Sequence, residues 1–96
     1  MKIVYRQHLK IRLKEREIPF DYPKQILESP EREYFDTQAA RNIAIKNLLF
    51  KGLLRNIVIA YDIIDDRIEI VTIHVISDKE IKSKLESGRW EKHEEN

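Results

Sequence analysis

The strongest constraint on this chain is a series of alternating segments joined by turns too short to allow a crossover. Asn56 to Ile63 places Ile57, Ile59, Tyr61 and Ile63 on one side at a period of two, the pattern of a half-buried strand. Arg67 to Ile76 follows the turn Asp65-Asp66; it is dense in β-branched residues and apolar on both sides, which predicts a central strand. Upstream, Asn42 to Phe50 alternates Ile43, Ile45 and Asn47 against Ala44, Lys46 and Leu48, and Lys51-Gly52 marks the next turn. Arg32 to Thr37 is short, polar and aromatic, and reads as an edge. Connections this short join antiparallel neighbours, so an antiparallel meander of four strands is expected.

Helical signals flank these strands. From Tyr5 to Glu17 an apolar stripe of Tyr5, Leu9 and Leu13 runs without Gly or Pro, and predicts a helix stopped by Pro19. Ile3 and Val4 form either a short strand or the approach to that helix. Pro23 suits the first turn of a second, shorter helix ending near Ser29-Pro30. Near the end of the chain Ser77 and Glu80 match a capping box, Ile81 and Leu85 form an expected buried pair, and Gly88 fits the helix stop. The expected fold class is α+β: two N-terminal helices, a four-stranded mainly antiparallel sheet and a C-terminal helix. The helices are expected on one sheet face, leaving part of the other open.

With 96 residues, the chain has room for one modest core. Residues 1–90 are read as a single domain and residues 91–96 as an acidic tail. The formal net charge of +1 excludes a polycation, but the charge is uneven. Lys2, Arg6, Lys10, Arg12, Lys14 and Arg16 face only Glu15 and Glu17 in the first stretch, enough for a positive face on a nearly neutral protein. The absence of cysteine excludes disulfides and thiolate zinc sites. No apolar leader or membrane-spanning run is visible, so a cytoplasmic location and no membrane partner are expected.

The residues suited to chemistry are basic. His8, Arg12 and Arg16 recur at i, i+4, i+8, which aligns them along one side of the first helix, beside its apolar stripe. A histidine there suits proton transfer and the arginines suit a phosphate. The plainer reading pairs the arginines with Glu15, Glu17 or carbonyls. Under strict alternation His74 shares a face with Ile68, Ile70 and Thr72, unless a bulge at the strand end redirects it. Lys46, Arg41 and Arg55 are candidates for contacts with a nucleic-acid backbone. Arg89 could meet a phosphate, and Trp90 could stack on an unpaired base or instead close the core. Asp62, Asp65 and Asp66 read as solvated turn formers. There is no phosphate-cradling glycine loop, and the three histidines are too dispersed to suggest a metal site.

The pattern His8-x3-Arg12-x3-Arg16-Glu17-Ile18, the strand ending Ile70-Val71-Thr72-Ile73-His74, and Ser87-Gly88-Arg89-Trp90 together resemble a small prokaryotic domain of unknown function. That domain is similar in layout to BrnT toxins and, more distantly, to RelE/ParE toxins. The resemblance implies a RelE-like fold and a metal-independent, cofactor-free endoribonuclease held inactive by a cognate antitoxin. It brings Lys46, Arg55, Arg89 and either Trp90 or His74 beside the His8/Arg12 edge. On that basis His8 or His74 is expected as the base, Arg12, Arg16 and Arg89 as the groups that stabilise charge, and Lys46, Arg55 and Trp90 as substrate-binding residues. RNA, an antitoxin and a second copy of the chain are the partners to consider. ParE-like members act on gyrase instead, so layout alone does not fix the activity. The alternative is a non-catalytic protein- or RNA-binding module.

Overall fold

The computed structural model describes residues 1–92. Its elements run β1 (Lys2–Tyr5), α1 (Gln7–Glu15), α2 (Tyr22–Glu28), β2 (Arg32–Asp36), β3 (Arg41–Phe50), β4 (Leu53–Ile64), β5 (Arg67–Val75), α3 (Asp78–Glu86) and β6 (Trp90–Lys92). The strands form one sheet in the order β1-β5-β4-β3-β2-β6. β1 lies parallel to β5, and every other pairing is antiparallel.

The meander β2 to β5 is the predicted one, but the expected fold class is corrected. Among the described residues the sheet has six strands and is mixed, not the expected four-stranded, mainly antiparallel one, and a strand precedes the two helices expected to open the chain. Both additions escape periodicity for the same reason. β1 is four residues long and β6 three, too short to display a period of two against their charged surroundings. β1 also claims Tyr5, which the helical stripe had absorbed, so α1 begins at Gln7. β6 covers the expected edge β2 through Tyr34–Lys92 and Asp36–Trp90 pairing. It includes Glu91 and Lys92; the rest of the expected acidic tail, residues 93–96, lies outside the described residues.

Helices pack on both faces rather than one. On the first, Leu9 and Leu13 of α1 and Ile26 of α2 pack against Ala44, Ile57, Ile59, Tyr61, Ile70 and Ile73. Leu9, Ile26, Ile57, Ile59, Ile70 and Ile73 are fully buried, each stabilising the fold by about 1.5–3 kcal/mol. On the second face, Ile81 of α3 and Trp90 cover Ile43, Ile45, Val58 and Ile76. Leu85, expected beside Ile81 in the core, is substantially exposed, and Ile81 is the one buried residue of α3.

One irregularity decides which side chains reach the second face. Ala60 pairs with Thr72 and Tyr61 with Ile70, which leaves Val71 as the extra residue of a bulge in β5. Ile70 and Ile73, three apart, thereby both enter the first core. Thr72 and His74 sit opposite Ala60 and Val58, on the second face. His74 therefore does not share a face with Ile68 and Ile70 as strict alternation requires. The bulge lies in mid-strand.

Candidate functional site

α3 covers only part of the second face, and a recess of about 240 Å³ remains beside it. Small side chains make room: Ala60 and Thr72 face each other across β4 and β5, next to Ile43 and Val58. Around this floor stand Arg41 from β3, His74 from β5, Lys84 from α3 and Arg89 from the turn before β6. Four basic side chains from four separate segments thus line one recess.

Asp36 organises one wall. It is the sole buried charged residue among those described. Its Oδ1 accepts from the Gln38 amide at 3.0 Å and the Ala39 amide at 2.9 Å. Its Oδ2 accepts from Arg89 Nε at 3.3 Å and Trp90 Nε1 at 3.4 Å. Burial pushes the Asp36 carboxyl up, but the two amides, the Arg89 charge and the Trp90 indole outweigh it, and its pKa is held below the ordinary aspartate value. The ionised carboxylate holds the β2–β3 turn, Arg89 and Trp90 together.

A ladder of ion pairs borders the recess at the level of Arg41. Arg41 Nε lies 3.2 Å from Asp62, which also receives Arg6 Nη2 at 3.1 Å. Arg6 Nε meets Glu69 at 2.9 Å, and Arg67 Nε reaches the same carboxylate at 2.7 Å. Both arginines hold Glu69 below its usual pKa. Asp62 is therefore a half-buried ion-pair partner, not the solvated turn former expected from its position. Arg41 and Arg89 are each held through Nε, and their Nη groups have no partner among the described residues. A guanidinium oriented in this way keeps its terminal donors for an anion.

His74 is solvent-accessible at the rim. Burial of part of its ring, then the nearby Arg16, Lys84 and Arg12 charges, lower its pKa below the ordinary imidazole value; Glu80 opposes them. At neutral pH the ring is accordingly neutral, and a nitrogen is free to take a proton. Arg16 reaches this strand from α1, donating from Nη1 to the Ile73 carbonyl at 2.8 Å.

The candidates from sequence thus separate. His74, Arg89 and Trp90 meet at the recess, joined by Arg41. Trp90 is 4% exposed, stacked on Tyr34 at 5.6 Å and approached by Lys84 Nζ at 5.4 Å from its ring, so its faces serve the core rather than a base. Arg12 and Arg16 contribute charge towards His74 but do not line the recess. His8 is exposed on α1 and has no hydrogen bond or ion pair among the described residues. Lys46 faces the first core and donates to the Ser29 carbonyl at 2.9 Å. Arg55 donates to the Phe50 carbonyl at 3.2 Å and lines a separate depression of about 700 Å³ near the start of α3.

Sequence reasoning missed Lys84, Thr72 and Asp36. Lys84 had a signal: it follows the buried Ile81 by three residues and so shares the inward side of α3. Asp36 had a weaker one, an Asx residue at a strand end two residues before the amide it caps. Thr72 depends on the Val71 bulge and had none. Among the described residues no three His, Asp or Glu side chains are grouped to hold a metal ion. No helix among them is long and apolar enough to cross a membrane. No protein-family model, curated protein or solved structure matches this chain.

Proposed function

We propose that this chain is a toxin-like, metal-independent endoribonuclease with its reaction centre at the His74 recess. The observation that carries the reading is the convergence of a neutral histidine with Arg41, Lys84 and Arg89 around one cavity. In this scheme His74 removes the proton from an RNA 2′-hydroxyl. The 2′-oxygen attacks the adjacent phosphorus and the bond to the 5′-oxygen breaks. The leaving 5′-oxygen takes a proton from the Lys84 ammonium, and the products carry a 2′,3′-cyclic phosphate and a 5′-hydroxyl. Arg41 and Arg89 stabilise the charge that grows on the phosphoryl oxygens. Arg12 and Arg16 help keep His74 neutral, and His8 has no part. The motif order that resembles BrnT toxins agrees with this chemistry, although the six-stranded mixed sheet departs from the four-stranded RelE-like layout. A cognate antitoxin is the corresponding partner.

The test is cleavage of single-stranded RNA by the purified protein in a chelator. Cyclic-phosphate ends are expected. His74→Ala should lose about 10²–10⁴-fold in rate, the ordinary worth of a general base, while His8→Ala retains the wild-type rate. Because the His74 pKa is lowered, the fall in rate with acidification should come at a lower pH than for an ordinary imidazole base. In cells, induction should arrest growth with fragmented RNA for wild type but not for His74→Ala. Intact RNA with a folded wild-type protein would refute the nuclease.

A second reading, a protein-binding module, is favoured by one observation. The β3–β4 hairpin tip exposes Leu49, Leu53 and Leu54. Partner capture through that tip without RNA cleavage would support it.

A further inference from the structure

The floor of the recess differs in chemistry from its rim, and the difference has a use. The rim is cationic, whereas Ile43, Val58 and Ala60 form an apolar floor interrupted by a single hydroxyl, that of Thr72. This hydroxyl has no hydrogen-bond partner among the described residues, and it is not sealed off from water. An apolar slot with one donor–acceptor group is the wrong site for a phosphate and a suitable one for a flat heterocycle. At about 240 Å³ the slot falls below the size usual for drug-sized ligands, roughly 300–1,000 Å³. It has room for one base and not for two.

We infer that the recess is a single-nucleobase subsite, with the base lying on Ala60 and Val58 and the Thr72 hydroxyl bonding its edge. This assignment rests on the nuclease reading for its direction. His74, which takes the 2′-hydroxyl proton, borders the same slot, so the base it holds belongs to the nucleotide that supplies that hydroxyl. Cleavage selectivity then resides in the nucleotide on the 5′ side of the cut. The phosphate between the two nucleotides sits at the rim, within the donor field of Arg41 and Arg89. Ala60 sets the depth: its strand neighbours on this face, Val58 and Asp62, are both larger, and a longer side chain at position 60 would fill the slot.

The protein carries its own reporter, since its one tryptophan, Trp90, lines the recess. Trp90 fluorescence is titrated with the four nucleoside 3′-monophosphates and, separately, with inorganic phosphate. At least one nucleotide should saturate the signal at a concentration about tenfold or more below that needed for phosphate, as expected when an apolar contact adds to the anion site. Ala60→Leu should reduce the nucleotides to the level of phosphate. Thr72→Val, nearly isosteric, should weaken the preferred nucleotide about fivefold, the worth of one hydrogen bond. It should also flatten the base bias upstream of the cut when RNA fragments are sequenced. His74→Ala should fail to cleave while keeping the wild-type order of preference among the four nucleotides. Nucleotides binding no better than phosphate to wild type would overturn the base subsite, even if RNA is cut. Nucleotide selectivity lost in Thr72→Val, with no cleavage by wild type, would retain the subsite and overturn the nuclease. If Ala60→Leu fails to fold, Thr72→Val decides the matter alone.

Discussion

The two faces of the sheet solve different problems with the same strands. The α1/α2 face is closed by aliphatic and aromatic side chains packed into one core. The α3 face is only half roofed; its uncovered part is made of small side chains, oriented cations and carboxylates that hold them. Adjacent residues of β4 make the contrast clear: Ile59 is fully buried in the first core, while Ala60 floors the recess. The first face therefore supplies the stability that lets the second keep a cavity and unbonded donors. Stability and function are divided by the pleat.

That division can be broken most severely at Ile59. Ile59→Ala removes a fully buried branched side chain and should cost about 2–5 kcal/mol in a urea titration. Thr72→Ala, on the other face of the adjacent strand, should stay within about 1 kcal/mol if the recess is as roomy as described. Equal costs at the two positions would erase the distinction between the faces.

Asp36 is the exception that sharpens the comparison, a residue on which the open face depends structurally. Asp36→Ala leaves two amides, the Arg89 guanidinium and the Trp90 indole without their acceptor, and should destabilise by about 2–4 kcal/mol. Its pH signature has a definite sign. The folded-state pKa lies below the unfolded value, so the contribution is complete above the ordinary aspartate range and is lost as pH falls through the lower folded value. Acid titrations of wild type and Asp36→Asn, followed by circular dichroism, should diverge above that range and converge below it.

Smaller effects distinguish the helices that serve the two faces. Ser77 caps α3 by accepting the Glu80 amide at 3.1 Å, and Glu80 returns a carboxylate to the Ser77 amide at 3.3 Å. Ser77→Ala should lower stability by about 1 kcal/mol and, by loosening the roof of the recess, weaken nucleotide binding as well. α1 ends differently: the Ile18 amide bonds the Leu13 carbonyl at 2.9 Å, with Glu17 at φ 56° in the left-handed region. Glu17→Gly should raise stability by about 0.5–1 kcal/mol in thermal melts, leaving nucleotide binding unaltered.

What could be read in the sequence follows from how local each signal is. The alternation of Asn56 to Ile63, the Lys51-Gly52 turn and the Ser77–Glu80 box each lie within one short window, and each appears at its expected place, except that Ile63 at the end of the alternation is exposed. β1 and β6 are held by partners more than fifty residues away, through Lys2–Arg67 and Asp36–Trp90 pairing, so local pattern left Ile3 and Val4 open between strand and helix approach and gave no sign of β6. The candidate site was lost in part through one residue. Val71 changes the phase of β5, and without it His74 reads as a neighbour of Ile70 instead of a member of the recess. The helical row of His8, Arg12 and Arg16 was easy to see because it is regular. The recess was hidden because its four basic members come from four segments that meet only after folding.

The Asp36 clasp also sets an order of events. Arg89 and Trp90, which it grips, follow Asp36 by more than fifty positions, and β2 to β5, on which they lean, all precede them in the chain. A chain still emerging from the ribosome can form its closed face while its open face lacks a wall and one of its cations. The protein thus acquires a stable body before it acquires a finished recess. Whatever ligand the recess takes, it can take only once the rest of the fold is in place, a built-in form of timing.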